Sequence, residues 1–350
     1  MIVGTSRDRR SGVTLEMVAL RAGVSRATVS RVVNCSPRVS AQIRLDVERA
    51  IADLGYVPNR AARTLVTGRT GSVAVVITEP SGRLFSDPFF PRLLRGASGV
   101  FSARDLQLVL LMPSSREEAE RTGGYLTAGH VDGVLTASLH GQDPLPARLF
   151  KADVPLVLVG RPPRGISASY VDVDNRQGAR SAVEHLVACG RRVICTIAGP
   201  ADMAVGIDRL TGYREAIAEA GLPVDRRLEA YGEFTQEGGA AAMARLLAVR
   251  ADIDGVFAAS DLMAAGALSV LAEAGRRVPA DVSVVGFDDS LVATSTSPQL
   301  TSVHQPIEEM GQEAARLLVE ALDDRSRAMR SVTLATSVVE RASSAGRSSP

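Results

Sequence analysis

A short stretch near the N-terminus carries side chains that suit contact with nucleic acid. Arg26, Ala27, Ser30, Arg31 and Asn34 recur at helical spacing, so they share one outward face of a predicted helix. This face presents two guanidinium groups, a hydroxyl, an amide and a methyl group, and it has no carboxylate. Guanidinium groups suit the acceptor atoms of guanine, while hydroxyls and amides suit phosphate oxygens. The pattern predicts a DNA-reading surface; the alternative is a small helical bundle whose arginine face is only solvated.

The elements that must position this face are two short helices joined by a tight turn. Thr14 is a good N-cap for a first helix, and Gly23 can adopt the left-handed conformation that ends it. Ser25 caps a second helix at once, which is the pattern of a helix-turn-helix. A third helix is expected to begin at Ser40 and to end at Gly55. Together the three helices predict a small all-α, DNA-binding head.

The stretch after these helices is predicted to form a separate, short helix. Pro58 prevents a continuous helix, and Asn59 can cap a new one. Only about two turns follow before Thr67, and an isolated helix of fewer than ~12 residues is marginal in water. The alternative is a plain linker in which Leu65 has no special role.

Charge is divided unevenly along the 350 residues. Residues 1–70 hold 12 arginines against 5 acidic residues, a net charge of +7. The remaining 280 residues hold 28 basic and 34 acidic residues, a net charge of −6. A basic segment on an acidic body favours nucleic-acid binding by the basic segment alone. The chain is also too long for one compact domain.

From residue 72 onward, short β-branched runs alternate with helix-length amphipathic stretches. This alternation is typical of parallel sheets that are covered by helices on both faces. The number of units favours two lobes, divided near Val171 to Asp174, with residues 304–341 crossing back and forth to complete both. A ligand would then bind between the lobes, beyond the carboxyl ends of the strands. The expected strands are 73–77, 106–111, 133–135, 155–159, 193–197, 255–257 and 282–287.

The head and the body together resemble the lactose-repressor-like family of transcription regulators. The resemblance rests on the run from Val24 to Asn34, on Val39-Ser40, and on the run from Gly55 to Asn59, all in the family's order. It covers nearly the whole chain. It implies a helix-turn-helix head on an α/β core of two Rossmann-like lobes, similar to the periplasmic sugar-binding proteins. It also implies a repressor that binds a pseudo-palindromic operator in double-stranded DNA as a homodimer.

The resemblance also implies roles for single residues. Arg26, Ala27 and Arg31 would face base edges in the major groove, and most other positions would hold or brace phosphates. The stretch from Asn59 to Leu65 would be a hinge helix that folds on DNA, with Leu65 wedged between base pairs in the minor groove. The expected DNA-binding residues are Thr14, Ser25, Arg26, Ala27, Thr28, Ser30, Arg31, Asn34, Arg38, Asn59, Ala62 and Leu65.

In the body, the resemblance implies an allosteric effector bound between the lobes, expected to be a sugar or a sugar derivative. Two alternatives stay open, since Asp288 could cap the following helix and Phe89 could belong to the core. Two features depart from the family pattern: Arg161 follows a glycine where an aspartate is common, and residues 79–84 lengthen a loop. The expected effector-binding residues are Phe89, Arg209, Phe234, Ser260, Asp288 and Gln305.

Other classes of function find little support. Cys35, Cys189 and Cys195 form no CxxC pair and the four histidines are scattered, so no disulfide framework, metal site or cofactor is expected. Neither a nucleophile motif nor a nucleotide-binding loop is present, so an enzyme is not expected. No apolar run reaches the ~18 residues that a bilayer requires, so a cytoplasmic protein without a membrane partner is expected. The alternative is a cytoplasmic sugar-binding protein without a regulatory role.

The expected domain organisation has five parts. Both ends are expected to be disordered, and the tail has no heptad pattern, so a tetramerising coiled coil is not expected. The effector's identity and the sign of its effect on DNA binding are left open. The boundaries are 1–12 for the arm, 13–57 for the DNA-binding domain, 58–71 for the hinge helix and linker, 72–341 for the effector-binding and dimerisation domain (lobe one about 72–172, lobe two about 173–303, each completed from 304–341), and 342–350 for the tail.

Overall fold

The structure is a computed structural model that describes residues 13–33, 38–56, 68–141, 143–163 and 165–344. It divides into two compact units, of which the first ends at Thr70 and the second begins at Gly71. We call them the head and the core unit.

The described part of the head contains three helices, as the sequence predicts: α1 (Leu15–Ala22), α2 (Arg26–Val33) and α3 (Ala41–Leu54). Their apolar faces meet around Val18, Val29 and Val47, which are fully buried. Gly23 and Gly55 end the first and third helices with φ of 66° and 62°, a conformation that favours glycine. The short helices are therefore stabilised by their caps and by one small apolar core.

Two six-stranded sheets form the core unit, one in each lobe. Lobe one has the strand order β11-β5-β4-β3-β1-β2, and lobe two has the order β12-β10-β9-β8-β6-β7. Every pair is parallel except β10 with β12. The strands are β1 (Ser72–Ile77), β2 (Gln107–Leu111), β3 (Gly133–Ala137), β4 (Leu156–Val159), β5 (Ser169–Val173), β6 (Ile194–Ala198), β7 (Glu229–Tyr231), β8 (Gly255–Ala258), β9 (Ser283–Asp288), β10 (Thr301–His304), β11 (Ser331–Leu334) and β12 (Ser337–Val339).

Helices cover both faces of the two sheets, which is the predicted fold class. They are α4 (Ser81–Ser86), α5 (Phe89–Ser102), α6 (Arg116–Thr127), α7 (Leu145–Lys151), α8 (Asn175–Ala188), α9 (Ala204–Glu219), α10 (Gln236–Val249), α11 (Asp261–Glu273), α12 (Leu291–Ser295) and α13 (Ile307–Asp323), with a 3-10 turn at Arg226–Leu228. The residues expected to lengthen a loop, 79–84, instead lead into α4 and form its first four residues. Among the described residues, no helix has the length and apolar character needed to cross a membrane.

The end of the chain differs from the sequence prediction. A disordered tail was expected from residue 342, yet Ser343 and Ser344 are fully buried in lobe two. The Ser343 hydroxyl donates to the carbonyl oxygen of Val284 at 2.6 Å and accepts from the backbone N–H of Thr301 at 2.8 Å. These hydrogen bonds order a segment that has no apolar pattern, which is why its sequence did not indicate burial. Residues 345–350 lie outside the described residues.

Candidate functional site

The first candidate site is the outward face of α2 in the head. Arg26, Ala27 and Arg31 are exposed on this helix, while Val29 and Val32 are buried beneath it. The Arg26 guanidinium lies 3.0 Å from the Glu16 carboxylate, and both side chains are more than half exposed. An exposed ion pair of this kind is weak, so Arg26 can exchange Glu16 for a phosphate or a base edge at small cost.

Two of the hydroxyl residues predicted to bind DNA, Thr14 and Ser25, cap helices of the head. The Thr14 hydroxyl accepts a hydrogen bond from the Met17 backbone N–H at 3.4 Å, and the Ser25 hydroxyl accepts one from the Thr28 backbone N–H at 3.1 Å. The Ser25 and Thr28 hydroxyls lie 2.9 Å apart. Of the other predicted DNA-binding residues, Ser30 is half-buried and Arg38 is exposed, whereas Asn34, Asn59, Ala62 and Leu65 lie outside the described residues.

The second candidate site is a cavity between the two lobes of the core unit, which we call the cleft. It encloses about 740 Å³ of space that includes some open solvent. Its walls come from residues that follow the carboxyl ends of strands in both sheets, as expected for parallel sheets. All six residues predicted to bind the effector line the cleft: Phe89, Arg209, Phe234, Ser260, Asp288 and Gln305.

Arg209 on α9 is the centre of the polar wall. Its Nε donates to the Asn175 side-chain oxygen at 2.9 Å, and its Nη1 donates to the Ala259 carbonyl oxygen at 2.6 Å. The guanidinium carbon lies 3.5 Å from the centroid of the Phe287 ring. Arg209 therefore has its plane fixed by hydrogen bonds and by an aromatic ring, which leaves it pre-organised for a ligand.

Asp288 faces Arg209 at the end of β9. Its Oδ1 lies 3.5 Å from Arg209 Nη1 and accepts a hydrogen bond of 2.6 Å from the Gln305 side chain. Burial raises the pKa of Asp288 well above its usual value, and the attraction of Arg209 opposes this shift without cancelling it. The following helix is capped by Ser290 instead of Asp288. The carboxyl group of Asp288 is therefore available to a ligand in the cleft.

Two predicted residues have a second, structural role. Ser260 caps α11, because its hydroxyl accepts from the Met263 backbone N–H at 3.3 Å. Phe89 is half-buried and packs edge-on against Phe90, which is fully buried, with 5.4 Å between the ring centroids. Both rings line the cleft, but Phe90 is a member of the core of lobe one, whereas Phe89 is partly exposed at the cleft wall.

Sequence reasoning missed several polar residues of the cleft. Asp87 is 8% exposed and accepts a hydrogen bond from the Phe89 backbone N–H at 2.9 Å. Asp172, which the sequence analysis placed only at the division between the lobes, accepts hydrogen bonds from Asn175 and from the backbone of Arg161. Burial raises the pKa of both aspartates. The Asp172-Val173-Asp174 sequence at the end of a strand was the available signal.

Arg161 follows Gly160, at which the family pattern led us to expect an aspartate. Its guanidinium forms an ion pair with Asp208 of lobe two, with N–O distances of 2.7 and 2.8 Å. The aspartate that could accept a hydrogen bond from a ligand hydroxyl is replaced by glycine. The neighbouring Arg161 instead forms an ion pair that joins the two lobes across the cleft.

A second ion pair joins the lobes at His140, which the sequence analysis did not single out. His140 Nδ1 lies 2.8 Å from an Asp202 oxygen in lobe two, and its Nε2 lies 3.4 Å from Glu79 in lobe one. The hydrogen bond to Glu79 raises the pKa of His140 to about 9, burial opposes this, and Asp202 adds to it. Glu79 is itself 3% exposed and holds Arg83 at 2.6 Å.

The cleft wall presents groups that can form hydrogen bonds with hydroxyls. Its carboxylates and amides accept hydrogen bonds, and the Phe234 ring lies in the wall with the Arg83 guanidinium over it, 5.1 Å from the ring centroid. Among the described residues, no cluster of histidine, cysteine and acidic side chains could hold a metal ion. A ligand with many hydroxyl groups and an apolar face fits these walls.

Comparison with known proteins identifies the family to which the head and the core unit belong. Residues 14–59 match the family described as bacterial regulatory proteins, lacI family, and residues 183–344 match the periplasmic binding protein-like domain. The chain is 54% identical over 318 residues to the HTH-type transcriptional regulator CelR of Thermobifida fusca, which covers 90% of this chain and 93% of that protein. It is 35% identical to the HTH-type transcriptional regulator GalR of Escherichia coli (strain K12), over 89% of this chain and 90% of that protein.

A solved structure of a transcriptional regulator CelR–cellobiose complex superposes with a TM-score of 0.77 at 50% identity, covering 95% of this chain and 99% of that chain. The head and the two-lobed core define a ligand-responsive DNA-binding regulator. The chain belongs to the lacI family of bacterial regulatory proteins.

Proposed function

We propose that this regulator is a repressor whose operator affinity is lowered when a neutral, cellobiose-like disaccharide binds in the cleft. The observation that carries the proposal is the buried set of Arg209, Asp288 and Gln305 beside Phe234. A carboxyl group and a guanidinium next to an aromatic ring can satisfy vicinal hydroxyls and cover the apolar face of a sugar. The CelR structure in complex with cellobiose supports this choice of ligand.

The charges of the cleft favour an uncharged ligand. The three arginines that line it, Arg83, Arg161 and Arg209, each lie within ion-pair distance of a carboxylate. Asp87 and Asp172 also line the cleft, and neither forms an ion pair within the described part of the chain. Since each of these arginines already faces a carboxylate, the described lining offers a phosphate on the ligand no arginine that lacks an acidic partner. We therefore expect a neutral disaccharide and not a phosphorylated one.

The proposed switch acts through DNA shape. Two heads of a homodimer would lie in successive major grooves, with Arg26, Ala27 and Arg31 at base edges. The hinge at 58–65, which lies outside the described residues, would insert Leu65 into the central minor groove. Effector binding would change the spacing of the two hinge segments. We place this activity in the cytoplasm, without catalysis.

Calorimetric titration of the full chain tests the effector proposal. We expect cellobiose to bind, and cellobiose carrying a phosphate to bind at least tenfold more weakly. Asp288→Asn should weaken cellobiose binding by more than tenfold and abolish its effect on operator binding. Asp252→Asn is the matched control, because Asp252 is an aspartate of lobe two that forms an ion pair with Arg250 and does not line the cleft.

Two results would contradict the proposal. One is equal affinity for neutral and phosphorylated cellobiose, which would remove the charge argument. The other is an Asp288→Asn variant that binds cellobiose like the wild type. Selection of bound duplexes from a random library at ~0.15 M salt tests the DNA arm separately, since non-specific phosphate contacts are weakened there. A pseudo-palindrome is expected.

A further inference from the structure

Asp288 and its neighbour Asp289 share an unusual backbone conformation. Their φ angles are 112° and 47°, both in the region that favours glycine. Non-glycine residues persist there only where the surrounding structure fixes them, and such residues cluster at functional sites. The direction in which Asp288 presents its carboxyl group to the cleft depends on this turn.

The Asp289 side chain is held from two directions. Its Oδ1 accepts a hydrogen bond of 2.6 Å from Arg341, and its Oδ2 lies 2.9 Å from His304 Nδ1. The Asp289 backbone N–H donates to the Ser302 hydroxyl at 3.0 Å, and its carbonyl oxygen accepts from Arg92 at 3.3 Å. Burial alone would raise the pKa of Asp289, but these two partners outweigh it and lower the pKa. Asp289 is thus a charged anchor.

Arg341 is itself fixed to lobe two. Its Nη1 donates to the Leu300 carbonyl oxygen at 2.9 Å, and its backbone N–H donates to the Thr301 hydroxyl at 2.8 Å. The buried Ser343 and Ser344 continue this attachment, with Ser344 and Thr301 hydroxyl oxygens 2.7 Å apart. β10 pairs with β9, and His304 lies opposite Asp288 in this pairing. Both partners of Asp289, Arg341 and His304, are therefore attached to the sheet that contains the turn.

We propose that Arg341 and His304 are positioning residues for effector recognition, acting through Asp289 to hold the strained turn that aims Asp288 into the cleft. Neither residue lines the cleft. The inference rests on the proposed function for its ligand, but the geometry of the turn can be tested without any ligand.

The first test compares cellobiose with its monodeoxy analogues in calorimetric titrations of the full chain. On the wild type, the analogue that lacks the hydroxyl bound by Asp288 should lose at least tenfold in affinity. In Arg341→Gln, cellobiose itself should bind at least tenfold more weakly, and the penalty for that one deoxy analogue should shrink below threefold. The other analogues should keep their wild-type penalties. Arg250→Gln is the control, because it removes an arginine–aspartate pair from the surface of the same lobe.

A purely structural role predicts a different pattern. If Arg341→Gln weakens cellobiose and every analogue by one common factor, Arg341 acts on the whole lobe and the proposal is overturned. His304→Gln should give the same selective loss on a smaller scale.

The second test is a crystal structure of the Arg341→Gln variant, and it separates this inference from the proposed function. We expect residues 288 and 289 to relax from their positive φ angles, with the Asp288 carboxyl group leaving Gln305. An unchanged turn would overturn the inference even if cellobiose binds the wild type. A relaxed turn would support it even if cellobiose does not bind, in which case the proposed effector alone is wrong.

Discussion

The reading face of the head and the wall of the cleft both use arginines, but under opposite physical conditions. The Arg26 side chain is 69% exposed, and its one ion pair is open to solvent. The Arg209 side chain is 5% exposed, with protein partners at Nε and Nη1 and the Phe287 ring against its guanidinium plane. An exposed arginine contributes little to the free energy of folding and remains available to bind another molecule. A buried arginine, in contrast, is needed for stability, because its partners would be left unpaired without it.

The consequence is a division of labour between the two regions. Changes on the α2 face should alter DNA binding and leave the free energy of unfolding almost unchanged. Changes in the cleft wall should alter ligand binding and stability together, because a buried charge that loses its partner remains costly.

The largest expected effect comes from Arg209→Met. This change removes the donor to Asn175 and to the Ala259 carbonyl and the cation that faces Asp288, so we expect a loss of ~3–5 kcal/mol in the free energy of unfolding and no cellobiose binding. Urea unfolding followed by circular dichroism measures it. Arg161→Met is the control within the same cleft, since its half-exposed ion pair should contribute less than ~1 kcal/mol. Equal losses for both variants would remove the distinction between buried and exposed arginines.

The next effect concerns the reading face. Arg31→Ala should cost ~1–3 kcal/mol of operator binding and relax the preference at one base pair in each half-site. Its free energy of unfolding should stay within ~0.5 kcal/mol of the wild type. Arg49→Ala, which removes an exposed arginine from α3, is the control for charge alone. If Arg31→Ala weakens binding to every sequence by the same factor, Arg31 contacts phosphate and reads no base.

The smallest effect concerns the ion pair at His140, whose exposure of 34% lies between that of the buried Arg209 and that of the exposed Arg26. Its folded pKa of about 9 lies above the usual 6.5, so its contribution to stability is complete below pH 6.5 and is lost as the pH rises through about 9. Because the side chain is 34% exposed, solvent screening reduces this contribution to ~1 kcal/mol.

Urea unfolding at several pH values checks this contribution. His140→Gln should remove the alkaline loss of stability, while His130→Gln, at an exposed histidine stacked on Tyr125, should keep the wild-type profile. Identical pH profiles for the wild type and His140→Gln would mean that His140 does not stabilise the protein through its charge.

The head could be predicted from sequence because its signals are local. Thr14, Ser25 and Ser40 cap helices that begin at the next residue, and Gly23 and Gly55 end two of them. A cap and an apolar period are both contained within one or two helical turns, so no tertiary information is needed to recognise them.

The cleft could be predicted only where the family resemblance supplied positions. His140 and Asp202 are 62 residues apart, and no local pattern relates them. The short strand Glu229–Tyr231 and the burial of Ser343 were also missed, since three residues show no period and a buried serine needs partners from distant strands. The sequence shows an aspartate at position 172 near the end of a strand, but no local pattern indicates that this aspartate is buried in the cleft.

The central claim is that ligand in the cleft changes operator affinity, and one titration tests it most directly. Fluorescence anisotropy of a labelled operator, selected as above, would be measured with increasing full-length protein, with and without saturating cellobiose. We predict that cellobiose raises the operator Kd by ~5–150-fold, the range typical of allosteric coupling. An unchanged Kd under conditions where calorimetry shows the cleft saturated would contradict the account.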